Sequence, residues 1–162
     1  MAASGRVLAV LLMQENQPTP ALIAARTALR HAVDDFDTTS ALGCTVVVAR
    51  ALAATGDLPS AAILADGIRS WANRVGQRWD AADRGTLGDL DTVLEAGLKP
   101  AERRTANERG SAMSLAELIA LATAVGTDDI DAVEAATRDT ITVPMAVARG
   151  WPTPLLLRPP VR

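Results

Sequence analysis

The stretch Ala54-Thr55-Gly56-Asp57-Leu58-Pro59-Ser60-Ala61-Ala62 puts a helix stop and a helix start within a few residues, with a long apolar helical pattern on each side. Gly56 can take the left-handed backbone that ends a helix, because it has no Cβ to clash. Asp57 offers a carboxylate to the free amides of the next helix, and Pro59 suits a first turn, where a missing N–H breaks no intrahelical bond. Two apolar helices joined by so tight a corner fold back on each other, so the bend predicts an antiparallel helix pair.

Upstream of the corner, Ala41–Ala54 reads as a helix whose face is carried by Leu42, Val46, Ala49 and Ala53. Val46-Val47-Val48 alone would also suit a short buried strand, but no partner-strand pattern follows. Downstream, Ala61, Ala62, Ile63, Leu64 and Ile68 carry the next helix. The same reading gives a first helix over Gly5–Glu15, a second from about Pro20 to Val33, and a break over Asp34–Ser40. After a turn at Gly76, helical spacing resumes at Leu87, Leu90, Val93, Leu94 and Leu98, with Gly85 and Gly88 weakening the start. Lys99–Glu108 forms a further helix that stops at Arg109-Gly110-Ser111. Ser114 and Glu117 form a capping box ahead of Leu118, Ile119, Leu121, Ala122 and Val125. A last helix is expected near Ile130–Arg138. "PALIAARTALR" at 20–30 and "PSAAILADGIR" at 59–69 have similar starts 39 residues apart, longer than the usual tetratricopeptide period of about 34.

The expected fold is all-α, with antiparallel helix pairs in tetratricopeptide-like packing. The helical domain is expected over residues 1–139 and a proline-rich tail over 140–162. A chain of 162 residues that is 49% hydrophobic can bury a core without disulfides or metals. Its only aromatic residues are Phe36, Trp71, Trp79 and Trp151, so the core must come from Ala, Leu, Val and Ile, and the helices must approach closely. A formal charge of −3, with no dense run of Lys and Arg, gives no sign of a nucleic-acid partner. No apolar segment approaches the roughly 20 residues of a transmembrane helix, so a membrane partner is not evident either. Arg6–Met13 has the charged and apolar parts of an export signal, but it is short and lacks a small-residue cleavage site. It reads as a folded helix, and the chain as cytoplasmic.

Reactive side chains are few. Cys44 sits beside valines and reads as a core residue. His31 is the only histidine, and its neighbours Asp34 and Asp35 do not establish a triad. One His and one Cys cannot make a conventional Cys/His zinc site, and no residue is assigned to catalysis, a cofactor or a metal. The cluster Asp128, Asp129, Asp131 and Glu134 is read as capping and solvation rather than a cation site. Arg103, Arg104 and Arg109, interleaved with Glu102 and Glu108, are read as a solvated helical face. The candidate interaction or ligand residues are Trp71, Arg74, Arg78 and Trp79, with Asp80 or Asp83 as ion-pair partners for the arginines across the turn. Leu155, Leu156 and Leu157 are candidate anchors through which the tail would pack on the domain or on another subunit.

Residues about 42–122 resemble the C-terminal helical region of large actinobacterial signal-transduction ATPases and LuxR-type transcriptional regulators. The stretches that carry the resemblance are "LGCTVVVARALAATGDLPSAAILADGI", "DRGTLGDLDTVLEAG" and "ANERGSAMSLAELIALA". The resemblance implies a tetratricopeptide-like array, usually noncatalytic, that joins a sensory or nucleotide-binding region to a regulatory output. Gly56, Asp57, Ala61, Ala62 and Leu64 match its repeat corner, and Arg109, Gly110, Leu115, Glu117, Ala120 and Leu121 its terminal helix. No nucleotide-binding core and no terminal DNA-binding module is visible, so neither activity is carried over. The expected function is noncatalytic protein interaction or regulatory coupling, with a protein partner or a second copy of the chain. The alternative is a small-molecule sensor holding an apolar ligand between helices near Trp71 or Trp79.

Overall fold

Four helix connections share one backbone turn, and these turns are 20 residues apart. Asn16, Phe36, Gly56 and Gly76 have positive φ angles of 58, 55, 99 and 71°. The next residue in each case donates its N–H back to the preceding helix: Gln17 to Leu12 O, Asp37 to Ala32 O, Asp57 to Leu52 O and Gln77 to Ala72 O, all at 2.8–2.9 Å. This is the Schellman closure, in which a left-handed residue lets the chain satisfy carbonyls that the helix end leaves open. The repeating unit is therefore a helix pair of 40 residues. The 39-residue offset is corrected by one, because it aligned Pro20 with Pro59, and proline is tolerated at more than one place in a first turn.

The computed structural model describes residues 2–124. Among them are seven helices and no strand: α1 Ala2–Gln14, α2 Pro18–Asp34, α3 Thr38–Thr55, α4 Leu58–Val75, α5 Ala81–Gly97, α6 Pro100–Ala112 and α7 Leu115–Ala124. The expected helix near Ile130–Arg138, the acidic cluster from Asp128 to Glu134 and the tail with Leu155, Leu156 and Leu157 lie outside the described residues. Several helices start earlier than the apolar pattern suggests, because their caps are polar. Asp37, Asp57 and Asp80 each accept a hydrogen bond from a backbone amide three residues on, at Ser40, Ser60 and Asp83. The break before α3 thus shrinks to Asp35–Asp37, and α5 starts at Ala81 rather than near Leu87. Ser114 and Glu117 close the expected capping box: Glu117 accepts from the Ser114 amide at 2.7 Å and the Ser114 hydroxyl accepts from the Glu117 amide at 3.3 Å.

The packing is that of stacked antiparallel pairs. α1, α3 and α5 lie side by side in one layer, α2 and α4 pack behind them, and α6 extends that second layer beyond α4. α7 turns back and touches α2, α3 and α4. Central α3 buries Val46, Val47 and Val48 as helix, which settles the strand alternative. It is also long and apolar enough for a membrane span, with mean hydropathy 1.3, yet 61% of it is buried inside this bundle. Such a helix is accounted for as the core of the stack.

The backbones of α4 and α6 approach closely. A Cβ on Gly110 would collide with the Ile63 carbonyl oxygen and lie 2.9 Å from the Gly67 amide nitrogen, and one on Gly67 would collide with Leu118. Gly110 therefore does not end its helix, as the sequence suggests; α6 runs on to Ala112, and the glycine is there so that two backbones can meet. Beside this crossing, half-buried Arg103 donates to both oxygens of Asp66, which is 5% exposed, and reaches Asp91 at 3.4 Å. Arg69 joins the same group, donating to Asp91 at 2.5 and 2.8 Å and to the Leu87 carbonyl at 3.0 Å. The expected solvated arginine face is thus corrected: Arg104 and Arg109 are exposed, but Arg103 ties α6 to α4 and α5.

Candidate functional site

With α3 as floor and α1 and α5 as walls, the odd-numbered layer forms a groove. Its larger hollow, about 360 Å³, is lined by Val10, Met13 and Gln14 of α1, Val47 and Arg50 of α3, and Ala81, Ala82, Gly85, Thr86 and Asp89 of α5. The α5 wall is made of small residues, and a Cβ on Gly85 would meet nothing within 4 Å. The fold therefore does not require glycine there, and the space in front of it belongs to the groove. Arg50 and Asp89 pair across the rim at 2.8 Å, which leaves the hollow without a free charge from either side chain.

A strut separates this hollow from a smaller polar one. Arg6 of α1 donates to both oxygens of Asp83 on α5 at 3.2 and 3.1 Å and lies 3.6 Å from Asp80. Its guanidinium crosses α3 directly over Gly43, where a Cβ would collide with it. Asp83 is buried, and loss of hydration raises its carboxyl above the usual range, with Arg6 acting in the opposite sense. Asp80 is lowered, chiefly by the Asp83 amide it accepts from. Beneath the strut, burial pushes the Cys44 thiol up to about 11, so it is a packed thiol rather than a nucleophile. The polar hollow, about 170 Å³, opens on the far side of Arg6 and is lined by Thr39, Ser40, Gln77, Arg78, Trp79, Asp80 and Asp83.

The four sequence candidates divide between different places. Arg78 and Trp79 line the polar hollow. Arg74 instead donates to the Ser111 and Met113 carbonyls at 2.9 and 3.3 Å, holding the end of α4 to the turn before α7. Trp71 packs half-buried against the core and lines neither hollow of the groove. The expected pairing of Arg74 or Arg78 with Asp80 or Asp83 is corrected, because Arg6, 77 residues before Asp83, takes both carboxylates. The sequence reads Arg6 as part of a folded first helix but does not bring it to Asp80 and Asp83, because more than 70 residues separate them. The signal that could have found it is its place as the lone charge on an otherwise apolar helix.

His31, the other reactive candidate, is exposed near the end of α2. Among the described residues no three His, Cys, Asp or Glu side chains gather as a metal site would require. Comparison of the chain with protein-family models, with curated proteins and with solved structures finds no match.

Proposed function

We propose that this chain is a noncatalytic protein-interaction domain of regulatory type, acting in the cytoplasm, with the groove between α1 and α5 as its binding surface. The observation that carries the proposal is the combination of apolar Val10, Met13 and Val47 on one side of the hollow, a small-residue wall on the other and an unfilled volume in front of Gly85. A groove of this form suits an amphipathic segment that lays its apolar side against Val10, Met13 and Val47, and its small wall lets the segment come close. The resemblance of residues about 42–122 to the tetratricopeptide-like regions of actinobacterial signal-transduction ATPases and LuxR-type regulators supports the same reading, since those arrays couple other regions rather than carry out chemistry.

The test is native mass measurement of the gently purified full chain beside its Gly85→Leu variant. A Cβ at this position meets nothing within 4 Å, so the side chain starts in the open space of the groove. A protein component held by the parent and lost by the variant is the expected result. Recovery of both forms as bare monomers, under conditions that preserve weak complexes, would refute the proposal.

A further inference from the structure

A separate hollow, of about 330 Å³, lies between the α2–α3 corner and α7 and shares no lining residue with the groove. Val33, Phe36 and Asp37 of the corner, Ala41 of α3, and Leu115 and Ile119 of α7 surround it. It has room for a few side chains rather than for a helix. Phe36 sets this place apart from the rest of the surface. It is 92% exposed, where the other exposed large apolar residues among the described ones reach 57% at most. Its φ of 55° lies in the left-handed region, an outlier for a bulky side chain. Gly56 and Gly76 make the same turn without that strain. The fold thus holds Phe36 both strained and in water, and nothing it touches among the described residues offsets either cost. Outliers of this kind cluster where something is bound.

We propose that the occupant of this hollow is the chain's own segment around Leu155, Leu156 and Leu157, docked in cis with a leucine against Phe36 and Arg158 beside Asp37. These three are the only leucines after Ala124. Pro152, Pro154, Pro159 and Pro160 flank them and restrict the backbone, which lowers the cost of ordering the segment. From Thr140 on, the sequence carries Arg149, Arg158 and Arg162 and no acidic residue. The hollow has the opposite sign. Asp37 is its one charged lining residue, and Asp34 and Asp35 stand exposed on the same corner. Among the described residues none of these three carboxylates pairs with a Lys or Arg. The hollow is also within reach. Leu115 and Ile119 lie about 15 Å at most back along α7 from Ala124, a distance that residues 125–154 span several times over. Attachment through the same chain keeps the segment at high local concentration, so a contact of only a few side chains is enough.

A nitroxide on Thr153→Cys places a paramagnetic probe beside the leucines, while buried Cys44 takes no label. In the isotope-labelled full chain the probe should weaken or erase the amide signals of Val33, Phe36, Leu115 and Ile119. It should leave those of Leu58 and Gly97, which meet beyond the far end of α3, as they are. Replacing Leu155, Leu156 and Leu157 together by Ser should abolish the loss of signal. So should Phe36→Gly, which keeps the corner because the same turn uses glycine at Gly56 and Gly76. Signals untouched by the probe in the parent chain overturn the proposal, as does a loss that survives either set of substitutions. An equal loss when the probe is carried only by a second, isotope-free copy mixed with the labelled parent overturns docking in cis, since another copy's segment would then fill the hollow.

Discussion

Arg26 and Asp66 occupy the same position in successive 40-residue units, each on the inner side of an even-numbered helix, and the fold treats them differently. Asp66 is 5% exposed and satisfied by Arg103. Arg26 is 2% exposed and donates one hydrogen bond, from Nε to the Ala122 carbonyl at 2.8 Å near the end of α7. The bond is favourable, since a cation suits a helix C-terminus. Among the described residues, however, its two terminal nitrogens meet no acceptor. Burial, aided by the charge of Arg30, lowers its pKa to about 10. A buried cation with unmet donors costs more than an apolar side chain of the same length, so Arg26→Met should raise stability in urea denaturation by about 1–4 kcal/mol. A loss of stability would show that those nitrogens are satisfied after all. Neither buried charge is apparent from composition, because Arg and Asp are ordinarily surface residues. Their common signal is position: both interrupt an apolar stripe, Arg26 between Ala25 and Leu29 and Asp66 between Ala65 and Ile68.

At the scale of helices, glycine has two opposite roles that sequence alone does not separate. At Gly110 a side chain would strike the backbone of α4, which cannot move aside as the end of a flexible side chain can; at Gly85 it would enter open space. Gly110→Ala should therefore cost about 1–3 kcal/mol by overpacking. Gly85→Ala should stabilise by up to about 1 kcal/mol, the intrinsic helical preference of alanine over glycine. Equilibrium denaturation of the two variants would reveal the opposite signs, and equal effects would place α6 wrongly against α4. The corner at Gly56 was legible because glycine, aspartate and proline each favour one place in it. At Asn16 the signal is weaker, since asparagine visits the left-handed region without requiring it. At Phe36 there is none, and that residue adopts the turn while 92% exposed. The 20-residue rhythm is consequently a property of the backbone that only two of its four corners announce with glycine. The groove was less legible still, because it depends on which helices share a layer, and helix periodicity does not encode that.

At the scale of the whole molecule, α7 decides whether the array unfolds as one body or frays pair by pair. Open stacks of repeats are held together only by contacts between neighbours and can come apart from an end. Here α7 returns to touch α2, α3 and α4, and the buried apolar residues form one cluster that includes Ala9 on α1 and Leu118 and Ala122 on α7. Leu118 is wholly buried and lies where α4 has only Gly67, so its side chain fills the space that the missing Cβ leaves. Such a closure predicts that helix content and tryptophan fluorescence, the latter reporting partly on half-buried Trp71 and Trp79, lose their native signals at the same urea concentration. Leu118→Ala should lower stability by about 2–5 kcal/mol, as truncation of a buried leucine does when its surroundings cannot collapse. Amide exchange should then speed up in α2 as well as in α4, because both rest on α7. Acceleration confined to α4 and α6, with two separate transitions in the parent chain, would mean that the helix pairs are stable independently and that α7 only caps the second of them.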